Sequence, residues 1–331
     1  MKLNSIKTWI AAGMLSFGVV GAATADFPER QVQVVFPWSP GVAYAVSQVV
    51  ADRMGQELGQ AMPVSSVTGA SGVKAALDVL NSPANGYKIF DGYVAPILFA
   101  PLMGNTPFQC EDFEPLYGVG SNGFAIGVRE DDDRFPDLPA LISYAQENPG
   151  ELLYSGAADI SIPHMVAALM LRNADAPARS IPYNDTGEGW KDFLSGELDF
   201  MVLNSGNYKA NKDEIRVLAV MSDRPMSEHG IPGPIPRDYG IDLGVEGLAA
   251  VGWNWWVVKP GTPEEVVETL RAAMRAALDD PETQQKINEL GFTPLPPETY
   301  HPGYYTENCA SVREQLQAGM EAIQWEKEIT R

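Results

Sequence analysis

The stretch from Val34 to Gly59, VVFPWSPGVAYAVSQVVADRMGQELG, reads as strand, Pro/Gly loop and helix in immediate succession, and the rest of the chain must be built around it. Val34, Val35 and Phe36 end an apolar β-branched run, and Pro37, Pro40 and Gly41 forbid its continuation. Val46, Val49, Val50, Met54 and Leu58 then fall on one helical face, which Gly59 closes. In an open α/β sheet such a loop leaves the carboxyl end of a strand and turns free backbone N–H groups into a crevice. An anion can be held there without a cationic side chain. The plainer alternative is that Pro37, Pro40 and Gly41 only make the turn.

The first 25 residues read as an export signal rather than as part of the fold. Lys2 and Lys7 form a basic start, Trp9 to Val20 an apolar core too short to span a membrane as a mature helix, and Ala23-Thr24-Ala25 a small-residue cleavage site. The mature chain is expected to begin at Asp26 and to be soluble and periplasmic. Removing 25 of 331 residues leaves 306, room for roughly two domains. Losing two of 23 basic residues leaves 21 against 43 acidic ones, so the net charge moves from −20 to −22. Such a surface repels nucleic acid and anionic membranes, yet it does not exclude a small anion bound by local N–H groups. Cys110 and Cys309 are the only cysteines. An oxidising compartment permits them to pair and tie the C-terminal helix to the N-terminal half; two separate buried thiols are the alternative.

In chain order the pattern predicts a strand (Gln31 to Phe36), a helix (about Tyr44 to Leu58), a strand (Met62 to Val67), a helix with Val73, Ala76, Leu77 and Leu80 on one face, and a strand (Tyr87 to Asp91). This βαβαβ order starts a parallel, doubly wound sheet. The second βα connection, Thr68-Gly69-Ala70-Ser71-Gly72, is small and uncharged like the first, so two N–H-rich loops are expected at one sheet edge, a clamp for one carboxylate. Gly118, Gly120 and Gly123 interrupt an extended segment and read as a crossing between domains. A second α/β series follows, with a helix opened by Ser161 and Pro163, and Ala249 to Lys259 returns the chain. Thr262, Pro263 and Glu265 read as a capping box, Asp280 and Pro281 as another helix start, and Val312, Leu316, Met320 and Ile323 as a last amphipathic helix. The expectation is an α/β protein of two lobes joined by two hinge strands. Residues 26–122 and 255–331 would form one lobe and 123–254 the other, with the ligand in the cleft between them.

Distributed along this frame are Phe27-Pro28-Glu29-Arg30, Phe36-Pro37-Trp38-Ser39-Pro40-Gly41, Gly69-Ala70-Ser71-Gly72, Asn85-Gly86-Tyr87, Ser161-Ile162-Pro163-His164, Ile181-Pro182-Tyr183, Gly196-Glu197-Leu198-Asp199, Arg216-Val217-Leu218-Ala219-Val220 and Lys259-Pro260-Gly261-Thr262-Pro263. In these segments, and in their order, the mature chain resembles the periplasmic substrate-binding proteins of tripartite tricarboxylate transporters, the Bug receptors. The resemblance implies a type II periplasmic-binding-protein fold, a non-enzymatic receptor working as a monomer with membrane permease subunits, and no cofactor. It also implies that the two N-terminal loops pinch a ligand carboxylate through backbone groups and water while the second lobe reads the rest of an organic acid. The implied site comprises Trp38, Ser39, Pro40, Gly41, Val42, Ala43 and Tyr44, then Thr68, Gly69, Ala70, Ser71 and Gly72. From further on come Tyr93, Ala158, Ser161, His164, Tyr183, Asn184, Asp185 and Asn204. Val42 and Ala45 depart from the family, which usually has a glycine and an acidic residue there. With Trp38 and Tyr44 nearby, they point away from the usual small carboxylate and toward a bulkier or aromatic one, unless both rings merely pack.

Trp253, Trp255 and Trp256 on the return strand read either as a stacking wall or as hinge core. His164 either reaches the cleft or is satisfied at its helix start. Asn184, Asp185 and Thr186 either bind ligand or cap the next helix, and Asn204 and Ser205 have the same two readings. No His/Cys/Asp spacing suggests a metal. A hydrolytic triad of Ser71, His164 and Asp185 is the enzymatic alternative, although Gly-Ala-Ser-Gly lacks the G-x-S-x-G elbow that exposes a nucleophile. A receptor signalling to a membrane sensor, with no transporter, is a third reading.

Overall fold

Strand β1 (Gln33–Phe36) lies between two parallel neighbours, β2 (Val64–Ser66) and β3 (Lys88–Tyr93), as the βαβαβ pattern requires. The computed structural model describes residues 27–104, 106–159, 161–184, 187–221, 231–243 and 253–329. The expected export signal, Asp185, Thr186 and half of the Pro/Gly segment from Ser222 to Gly247 therefore lie outside the described residues.

Helix α1 (Val42–Leu58) begins two residues earlier than its apolar spacing suggests and stops at Gly59, whose φ of 65° is the left-handed cap position. It buries Val46, Val50, Ala51 and Met54 against the sheet. Helix α2 (Val73–Leu80) follows β2. After β3 a π-helical turn (Ala95–Phe99) runs into α3 (Ala100–Leu102), all but Leu102 of it buried.

β4 (Glu114–Ser121) and β5 (Phe124–Arg129) then carry the chain from one sheet to the other. Gly118 is demanded by close approach, since a Cβ there would stand 2.3 Å from Leu295 Cδ1 and 3.1 Å from the Trp255 ring. The second series comprises α4 (Leu138–Glu147), β6 (Leu153–Ser155), α5 (Ile162–Asn173), β7 (Arg179–Ser180), α6 (Trp190–Ser195), β8 (Phe200–Asn204), α7 (Ser205–Asn211) and β9 (Ile215–Val220). β10 (Trp253–Val258), α8 (Glu264–Asp279), α9 (Pro281–Glu289), β11 (Thr293–Pro294) and α10 (Pro302–Ile329) complete the chain. The first sheet has the order β11-β4-β10-β3-β1-β2 and the second β7-β6-β8-β5-β9, so both chain ends build one sheet and the middle builds the other.

One local expectation fails. Pro263 stands at the cap position of α8 with extended backbone, and the Thr262 hydroxyl donates to Lys259 O at 2.7 Å inside its own turn, so no capping box forms with Glu265. Asp280 does cap α9, accepting from Thr283 N at 2.9 Å.

Helix α10 has 28 residues, about 42 Å of helix. Near its start Tyr305 donates to Cys110 O at 2.8 Å and Cys309 is disulfide-bonded to Cys110. Near its end Glu326 lies buried against the second sheet. One apolar cluster runs with it, from Phe90, Phe113 and Trp255 through Val312 and Leu316 to Met165, Leu169 and Tyr154.

Candidate ligand-binding site

The carboxyl ends of β1 and β3, the strand crossing, and the loops of the second sheet enclose a cavity of about 130 Å³. From the first sheet's side Phe36, Trp38, Ser39, Gly41, Val42, Ala43, Tyr93, Val94 and Ala95 line it. From the crossing and the second sheet's side come Asn122, Phe124, Ala157, Ala158, Ser161, Ile162, Pro163, Asn184, Gly187, Asn204 and Asn207. Among the described residues no charged side chain reaches this lining.

Three helices begin at its wall. The first residues of α1 line it, and Gly41, its cap residue, offers no side-chain hydrogen bond. The first amides of α1 have no intrahelical acceptors, and among the described residues no side chain accepts from them. At α5 the Ser161 hydroxyl accepts from His164 N at 3.3 Å, and Pro163 has no N–H to give. At α7 the Asn204 side chain accepts from Asn207 N at 2.8 Å. The field at all three starts favours an anion, but α1 alone lacks a side-chain cap.

Aromatic rings fix the first loop. Phe36 meets Trp38, Tyr44 and Tyr93 edge-on at centroid separations of 5.8, 5.5 and 6.1 Å, and Trp38 lies 4.4 Å from Tyr93. Tyr44 lies outside the lining and donates its hydroxyl to Val64 O at 2.8 Å. Val42 seats against α7, where a Cβ on Gly206 would come within 2.4 Å of Val42 Cγ1. The bulk introduced at Val42 is thus taken up by a notch between the sheets.

The second loop does not reach the lining. Gly69, Ala70, Ser71 and Gly72 have consecutive positive φ values of 124°, 49°, 51° and 90°, and this coil wedges Gly72 under the first loop. A Cβ on Gly72 would lie 2.9 Å from Pro37 Cβ and 3.0 Å from Pro96 Cβ. Thr68 and Pro40 are also absent from the lining, whereas the loop after β3, with Val94 and Ala95, takes the place expected of the second loop. Sequence reasoning passed over that loop because its apolar VAPILFAPL run reads as core, although its position at the carboxyl end of a parallel strand was a usable signal.

His164 is 1 % exposed and turned into the protein, its Nδ1 2.9 Å from Asp159 O and its Nε2 3.1 Å from Glu326 Oε2. Glu326 also accepts from the Tyr154 hydroxyl and from Ser180 N, each at 2.8 Å. Burial, reinforced by the Glu326 charge, pushes the Tyr154 phenol well above its ordinary range. Tyr183 donates to Asp192 Oδ2 at 2.6 Å, outside the lining. With Ser71 off the cavity and His164 engaged elsewhere, the described residues assemble no nucleophile and base. Trp255 and Trp256 are fully buried core residues, Trp255 against Tyr304 and Tyr305.

Across the mouth, Ser39 Oγ donates to Glu188 Oε1 at 2.8 Å, and Glu188 Oε2 accepts from Asn184 N at 3.0 Å and Asn184 Nδ2 at 2.7 Å. Burial works to raise the Glu188 carboxyl, but the Asn184 backbone, Ser39 and the Asn184 amide hold it below the usual range. Behind Tyr93, Asp91 is fully buried and accepts from Ser47 and, at 2.7 Å, from Asn254. Burial pushes Asp91 up to about 7 against the opposing hydrogen bonds from Ser47, Asn254 and Trp256.

The model of the tripartite tricarboxylate transporter family receptor, TctC, matches residues 46–306. The chain belongs to this receptor family. Among relatives of the receptor, a protein from the tcbD-tcbE intergenic region of Pseudomonas sp. (strain P51) is 27% identical over 290 residues, covering 86% of this chain and 84% of the relative. BugT of Bordetella pertussis is 25% identical over 303 residues, covering 89% and 91%. Solved structures share the fold: MatC from Rhodopseudomonas palustris with bound malate superposes with a TM-score of 0.75 at 21% identity, covering 92% of this chain and all of MatC. An adipate-bound protein of R. palustris gives 0.78 at 23% identity, covering 90% and 99%. The two-lobed periplasmic-binding-protein architecture and the receptor family expected from the sequence are thus those of this TctC receptor. Among its described residues no helix is long and apolar enough to cross a membrane.

Proposed function

We propose that this TctC receptor captures a small organic acid between two lobes outside the cytoplasm and delivers it to the permease subunits of a tripartite tricarboxylate-type transporter. Residues 1–25 would direct export. The lobes would be 26–122 with 255–331, and 123–254, closing as a monomer over the cavity. What carries the reading is the uncapped start of α1, opening at Gly41 to Ala43 into a cavity that has no cationic side chain among its described lining residues. A few charge-assisted hydrogen bonds at about 1.5–3 kcal/mol each suffice for micromolar affinity, which needs about 8 kcal/mol net. The malate and adipate held by its structural relatives agree with a carboxylate ligand. In this reading Thr68 to Gly72 brace the first loop from behind and do not touch the ligand.

The test is a thermal-shift screen of carboxylates and neutral compounds on the mature protein, with the hits titrated calorimetrically. An acid that binds should raise the melting temperature by mass action, by about 2.7 kcal/mol of added stability at a hundred times Kd. Ala43→Asp, which sets a carboxylate at the start of α1, should remove that rise. Unchanged affinity in this variant would take the α1 start out of the site.

A further inference from the structure

The same cavity limits how much negative charge its ligand can carry. This step rests on the receptor reading above and narrows it. On the α1 side a carboxylate meets amides that no side chain among the described residues caps. On the second sheet's side Asn122 offers only an uncharged amide, and the other comparable side chains among the described residues are already engaged. Ser161 Oγ donates to Gly156 O at 2.6 Å and accepts from His164 N, the Asn184 amide serves Glu188, and Asn204 and Asn207 cap each other. Between them lie Phe124, Ala157, Ala158, Ile162 and Pro163, which offer a second carboxylate no charge partner. Glu188, held below the usual range, adds a negative charge at the mouth. The volume of about 130 Å³ is close to that of an apolar cavity of about 150 Å³ that holds benzene. Trp38 and Tyr93, 4.4 Å apart, supply a ring wall on one side of it.

We propose that the ligand is a monoanion, one carboxylate on a single uncharged ring or a planar body of like size. Its head group sits at Gly41 to Ala43 and its body lies against Phe124, Ile162 and Pro163. Dicarboxylates of the kind held by the relatives are rejected because their second charge would be buried without a partner.

Isothermal titration of the mature protein with benzoate, benzamide, malate and adipate tests this at about pH 7.5, where all three acids are ionised. Benzoate is expected to bind at least about tenfold more tightly than each of the other three. Malate or adipate matching benzoate would overturn the monoanion proposal and leave the organic-acid receptor standing, whereas silence from all three acids would overturn both. Benzamide matching benzoate would overturn the assignment of the head group. Ala158→Lys, at a half-buried lining position, supplies the missing cation and should tighten adipate by about tenfold or more. A folded Ala158→Lys protein with unaltered adipate affinity would overturn the charge argument even if benzoate binds.

Discussion

At the residue scale the most consequential group lies outside the cavity lining. Asp91 is fully buried behind the cavity wall, and its carboxyl is pushed up to about 7 by burial. An acid whose folded value stands above its free value of about 3.9 holds its proton more tightly in the native chain. Its contribution is therefore fully present below about pH 4 and is lost as pH rises through about 7. Urea denaturation should show Asp91 costing the wild type about 2–3 kcal/mol more at pH 8 than at pH 5. In Asp91→Asn that part of the slope should vanish, because the amide cannot ionise while Ser47 and Asn254 remain beside it. An identical pH slope in both proteins would mean that Asp91 is ionised throughout. Nothing in the sequence marked Asp91 out: it sits among Phe90, Gly92 and Tyr93, and its partners come from positions 47 and 254. Long-range pairing of this kind leaves no periodic trace, unlike Gly59, whose helix-ending role follows from its own missing side chain.

Among elements, α1 was legible almost to its ends, since a strand stop, a helical apolar stripe and a terminal glycine agree locally. Helix α5 was half legible. Ser161 and Pro163 announced its start, and the structure places both at the cavity, but the anchoring of that start by α10 joins His164 to Glu326 across 162 positions. The small-residue composition of Gly69 to Gly72 announces a close backbone approach, and the structure sets Gly72 against Pro37 and Pro96 beneath the first loop. Composition shows that a backbone can approach closely, not which neighbour it approaches. Glu326→Ala should leave His164, the Tyr154 hydroxyl and Ser180 N facing a void, a loss of about 3 kcal/mol in denaturant midpoint analysis. Ligand affinity should fall with it, because the α5 start lines the cavity. Glu326→Gln, able to keep part of the network, should lose less on both counts. Full affinity in a destabilised Glu326→Ala protein would separate the anchor from the site.

For the whole molecule, α10 and the Cys110–Cys309 bond join what the two sheets divide. The bond closes a loop of 199 positions, so replacing both cysteines by serine should lower stability by about 2–5 kcal/mol, read from chemical denaturation under non-reducing conditions. An equal midpoint for the double variant and the parent would show that α10 is held by its packing and hydrogen bonds without help from the disulfide. The net charge of −20 belongs to this scale too, and it sets the surroundings of the mouth without entering the uncharged lining. The same bond has a further consequence whenever a protease meets the chain. A single nick anywhere between positions 111 and 308 severs the backbone but not the molecule. The two pieces would migrate together on a gel until a thiol is added, and a clipped receptor would keep its last helix in register with the sheet it covers.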